Sequence, residues 1–178
     1  MAAWIRVFCT RPVSQLSADN ILEGISAADF YTEAEGLGIE DSDVEQALSF
    51  LRIETLTGPS DARFELFYRP KGMRQITIWV SSEELDEELE EVLELLEDIS
   101  PSQVKRVKAF LDKTIEIVAL ELGWSQLEDM AVVLAYEVTR YLARVGKGLV
   151  LATDDTWWEV KDGVFKPITT IVSQNGSP

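Results

Sequence analysis

The chain has a single cysteine, Cys9, and no histidine, but it carries 32 aspartates and glutamates. Carboxylate-only chemistry remains open to it, whereas most hydrolase designs do not. Without histidine there is no Ser-His-Asp or Cys-His nucleophile, no His-containing zinc site and no histidine proton switch. Cys9 stands at the end of the apolar run "AWIRVFC", where burial makes a small inert core residue rather than a nucleophile. Carboxylates alone can still hold a cation, move a proton or present a negative field to a basic partner. Which of these applies depends on where they gather.

They gather most densely in "SSEELDEELEEVLELLEDIS", residues 81–100. Ten carboxylates fall within sixteen residues there, Glu83 to Asp98, with no Lys or Arg among them. A smaller group, Asp154, Asp155 and Glu159, adjoins the tryptophan pair Trp157 and Trp158. That trio has the composition of a magnesium site, but one local cluster in so acidic a chain is poor support, and no metal or cofactor is expected. "DSDVEQ", from Asp41, places Gln46 where a calcium loop needs its turn glycine and Arg52 where it needs its closing glutamate. "GLGIED" lacks both the third glycine and the preceding strand of a dinucleotide fingerprint. With no catalytic motif standing, the expectation is a non-enzymatic binding protein.

The elements that carry these side chains are marked by caps and periodicity. "AWIRVFC" reads as a strand, and Ser17, Ser26 and Ser42 open three short helices. "SFLRIETL", "RFELFYR" and "RQITIWV" form a meander broken by "TGPSDA" and "PKGM", with Phe64, Leu66 and Tyr68 on one face and Ile76, Ile78 and Val80 likewise. Three longer helices are then predicted. Ser81 with Glu84 caps the acidic one; Ser100, Pro101 and Gln103 open a second that runs to Gly123; Ser125 with Glu128 opens a third that runs to Gly146. "GLVLAT" and the hairpin "TWWEV-KDG-VFKPI" close the chain. The expected fold class is α+β: an antiparallel sheet packed on one side by a group of three longer helices, with a C-terminal β-hairpin. Residues 1–178 are expected to form one globular domain, with 172–178 a frayed tail.

On a helical projection, Leu89, Val92, Leu96 and Ile99 fall within about forty degrees of Leu85, with Leu93 and Leu95 on the flanks. The acidic segment is thus an amphipathic helix, not a loose tail. Six like-charged pairs four residues apart destabilise it by about 1–3 kcal/mol together. Burial of its aliphatic stripe, at roughly 1.5–3 kcal/mol per side chain, outweighs that. Lys105, Arg106 and Lys108 of the following helix are expected to lie near Glu94, Glu97 and Asp98, which leaves Glu83 to Glu91 bare. In the hairpin, an Asp162-Gly163 turn pairs Val160 with Phe165, Trp158 with Pro167 and Glu159 with Lys166. The face with the ion pair reads as the outer one, which makes Trp157 an exposed aromatic anchor beside Asp154 and Asp155.

The net charge of −16 and a pI near 4.3 oppose nucleic acid and anionic membranes and draw basic partners in. No apolar run approaches the eighteen or so residues of a membrane span, "MAAWIRVFCTRPV" is a poor signal peptide, and one cysteine suits a reducing, cytoplasmic setting. In its layout, and in "DDTWWEVKDGVFKPI", the chain resembles the small acidic immunity proteins that bacteria pair with secreted toxins. The resemblance implies a cytoplasmic inhibitor of a basic, nuclease-like toxin. Glu83, Asp86, Glu87, Glu90, Glu91 and Glu94 would then supply the field, with Asp154, Asp155 and Trp157 a second contact. The alternative is an acidic secretion chaperone or adaptor that takes an extended client segment along a sheet edge.

Overall fold

Strand β1 (Ala2–Cys9) runs through the interior of one antiparallel sheet, and everything else is arranged about it. The computed structural model describes residues 2–57, 62–70, 74–83, 85–94, 96 and 100–168. Among these, eight strands pair in the order β2-β3-β4-β5-β1-β6-β7-β8. They are β2 (Arg52–Thr55), β3 (Ala62–Phe67), β4 (Ile76–Ser81), β5 (Glu116–Gly123), β6 (Leu149–Leu151), β7 (Trp157–Lys161) and β8 (Val164–Pro167), with β1. Every neighbouring pair is antiparallel, so the fold is α+β.

Alternation along β1 builds two cores. Ile5, Val7 and Cys9 face a large core closed by α1 (Ala18–Ile25), α2 (Phe30–Glu35), α3 (Asp41–Phe50) and α6 (Met130–Gly146). Phe8 faces a smaller one, in which α4 (Leu85–Glu94) and α5 (Pro101–Leu111) pack with Ile117, Leu149, Leu151 and Trp157. The three longer helices are therefore divided between the two faces and do not share one. Helices on both faces give both sets of strand residues a dry partner, so β6 is buried throughout.

The predicted helix from Pro101 to Gly123 is half helix and half strand. It ends at Leu111, and "EIVALELG" becomes β5, paired residue for residue with β1 from Ala2↔Gly123 to Cys9↔Glu116. A strand covered on both faces reads as a continuous apolar run, which periodicity cannot tell from a buried helix. Likewise α6 starts at Met130, not after Ser125. Asp129 is its cap, accepting from the Ala131 N–H at 2.7 Å. At Ser17 the capping box forms with Asn20. The hairpin has the expected register, around Asp162 and Gly163 at φ of 54° and 76°.

Candidate partner-binding surface

Helix α4 begins four residues after β4 ends, so a short connection swings it back across the sheet. Val92 and Leu96 are fully buried in the second core, and Leu85, Leu89 and Leu93 pack against it. Leu95 and Ile99 lie outside the described residues. With the apolar stripe held down, Glu83, Asp86, Glu87, Glu90, Glu91 and Glu94 are all exposed. The structure therefore gathers those six predicted residues onto one ridge.

Two expectations about that ridge need correction. The segment from Glu83 to Glu91 is not bare, because Arg6 of β1 reaches Glu91 at 3.0 Å and Glu88 at 3.8 Å. The cation comes from the far end of the chain, 85 residues from Glu91, where spacing along the sequence gives no sign of it. Nor does α5 neutralise Glu94. Arg106 pairs with Glu159 at 2.5 Å, and among the described residues no ion pair joins Glu94 to Lys105 or Lys108. Glu97 and Asp98 lie outside the described residues. Burial works to raise the Glu159 pKa, but hydrogen bonds from Lys161 and Arg106 more than offset it and hold the carboxyl below its ordinary value.

Trp157 is not an exposed anchor. Its exposure is 0%, and its ring lies 5.2 Å from that of Phe8 in the second core. The hairpin face carrying Glu159 and Lys166 is covered by α4 and α5 at its Trp157 and Ile168 end, while Lys166 stays exposed, so it is an outer face only toward the turn. Asp154 and Asp155 are exposed at the β6–β7 turn, where Asp154 accepts from the Thr156 N–H at 3.1 Å. Asp154 also lies near Tyr136 of α6. Burial chiefly raises the Tyr136 pKa and Asp154 adds to it, against a hydrogen bond with Thr153. The two aspartates thus stand by α6, and among the described residues no hydrogen bond, ion pair or pocket joins them to the α4 ridge.

The ridge borders something that sequence reading missed. Beyond α4 the same sheet face continues over β1, β5, β4, β3 and β2, whose residues there add only Phe8 and Ile117 to the second core. One cross-strand row runs Trp4, Glu121, Thr77, Glu65, Glu54, and the next runs Arg6, Ala119, Trp79. Ala119 is too short to fill the space between Arg6 and Trp79. A cleft of about 270 Å³ results, walled by Trp4 and Trp79 and rimmed by Arg6, Glu83 and Glu88. The two rings stand 6.4 Å apart at 53°. The parity that buries Ile5 and Val7, or Ile78 and Val80, already places Trp4 and Trp79 on the opposite face.

A second hollow, about 350 Å³, is lined by polar groups including Asp43, Gln46, Tyr68, Arg69 and Asp129. The least exposed of its carboxylates, Asp129, is engaged. Asp129 uses one oxygen to cap α6 and the other to bind Arg69 at 2.6 Å. Burial raises the Asp129 pKa, against the Ala131 N–H and Arg69. Cys9 is an inert core thiol, pushed up to about 12 by burial first and by Glu116 second. Among the described residues, no group of three or more metal-binding side chains gathers, and no helix is long and apolar enough to cross a membrane. Comparison of the chain with family models, with curated proteins and with solved structures finds no match.

Proposed function

We propose that the chain is a non-enzymatic, cytoplasmic binding protein of the immunity type, which neutralises a basic, nuclease-like toxin by covering it with the α4 ridge. The observation that carries this reading is the ridge itself. Five exposed carboxylates, with Glu83 just ahead of them, are fixed to a helix whose apolar stripe is anchored in a core, with Arg6 the nearest compensating charge. Rigid, like-signed groups of this kind speed encounter with a basic surface and occupy positions that phosphates would take on it. Nucleic acid and anionic membranes are disfavoured as partners by the same field. The chaperone reading needs an accessible sheet edge, but β2 and β8 have four residues each and β8 ends in Pro167, features that blunt an edge.

The test compares the immobilised wild-type chain with the variant E87K/E90K/E91K/E94K, using lysate of the source cell. A protein held by wild type and released by the variant is identified and purified, then assayed for activity with the chain added. The expected partner is basic and loses its activity at one equivalent. Its association rate should fall on the order of ten-fold or more from low to high salt. Undiminished binding by a charge-reversed variant with an intact circular dichroism spectrum would sink the reading.

A further inference from the structure

We propose that the cleft between Trp4 and Trp79 is the seat of one Lys or Arg side chain from the basic partner. The proposal rests on the reading of α4 as a partner-binding ridge and adds to it the point at which the partner is anchored. Two indole faces meeting at 53° offer ring quadrupoles to a cation, and tryptophan is the strongest such acceptor among side chains. The rim supplies charge of the matching sign. Glu83 is exposed and makes no ion pair among the described residues. Glu88 is held by Arg6 only at 3.8 Å.

Two groups oppose a cation here. Arg6 is one, but it is engaged by Glu91 at 3.0 Å as well as by Glu88. The N-terminal end of α4 is the other, worth roughly half a positive charge. Glu83 and the first-turn acids Asp86, Glu87 and Glu88 outnumber both. Size also decides in favour of a side chain. At about 270 Å³ the cleft falls below the roughly 300–1,000 Å³ of small-ligand sites. The walls can adjust as well. Trp79 Nε1 is buried without a hydrogen-bond partner among the described residues, so the ring breaks no hydrogen bond on turning.

Nuclear magnetic resonance of the ¹⁵N-labelled chain tests this through the indole N–H signals. The probes are acetyl-Gly-Arg-Gly-amide and its Lys, Gln and Glu counterparts, added through the millimolar range expected for one side chain. The Trp4 and Trp79 signals should move and saturate with the Arg and Lys peptides alone, while those of Trp124, Trp157 and Trp158 stay in place. The E83Q/E88Q variant should weaken the response about three-fold or more. An equal response to the Gln peptide, an equal shift at Trp124, or no shift at all would overturn the assignment. A ridge variant that spares the first-turn acids and the Glu91 partner of Arg6, E90K/E94K, should keep its indole response. Failure of the ridge to hold a partner is therefore separable from failure of the cleft to hold a cation.

Discussion

Replacing Trp157 with alanine removes the largest fully buried side chain in the molecule, one in contact with the Phe8 ring and beneath both helices of the second core. The expected loss is about 3–5 kcal/mol, read as a lower urea midpoint at unchanged slope. An exposed interface residue would instead leave the midpoint nearly unmoved. Glu137 gives the second expectation at this scale. It is buried on α6, and burial, assisted by Glu33, lifts its pKa above the ordinary 4.5 although Arg140 at 2.9 Å pulls the other way. A raised native pKa means that the folded state binds the proton more tightly. Its contribution is fully present below the ordinary value and is lost as pH rises through the raised one. Wild type should therefore lose stability relative to E137Q as pH rises above the ordinary 4.5, in paired urea titrations. The opposite slope would mean that Arg140 outweighs burial.

Helix α4 is built less stably than its backbone allows. Within it, Asp86/Glu90, Glu87/Glu91 and Glu90/Glu94 stand four apart with like charge. The E87Q/E90Q variant relieves all three and should gain about 0.5–1.5 kcal/mol in thermal or urea unfolding, while binding any basic partner less well. No gain would show that the acids are already screened. The helix itself was readable, because Leu85, Leu89, Val92 and Leu96 mark one face. So were the meander and the hairpin register, which rest on local alternation and one Asp-Gly turn. Strand β5 was not, since Ile117 to Leu120 is apolar on both faces and fits either period. The site divides the same way. The six ridge acids are a local feature, whereas the Arg6 pairings and the Trp4–Trp79 cleft depend on strands brought together from residues 4, 79 and 119. Trp157 failed for a global reason, because whether a hairpin face is wet depends on what another part of the chain lays over it.

At the scale of the whole molecule, the two sides of the sheet are secured to different depths. Helix α6, with twelve buried residues, secures the larger core, while α4 has one buried residue within its bounds and five exposed carboxylates. The proposed partner-binding ridge is thus supported by the thinner core, and the part that secures the fold lies on the other side. Glu116 strengthens the join between β5 and the loop after β1, accepting from the Val13 and Ser14 N–H groups at 2.6 and 3.0 Å and from the Ser14 hydroxyl at 2.6 Å.

The position of β1 has a consequence for how the molecule comes to exist. Among the described residues it alone bridges the block β2–β5 and the block β6–β8, since β5 and β6 do not pair with each other. It must therefore wait for partners more than a hundred residues downstream, at Glu116–Gly123 and then at Leu149–Leu151. Until the latter emerge, a nascent chain carries an open edge of Val7 and Phe8 with nothing to close it. The sheet cannot close until β6 has been made, and the chain is most prone to aggregate just before that strand emerges.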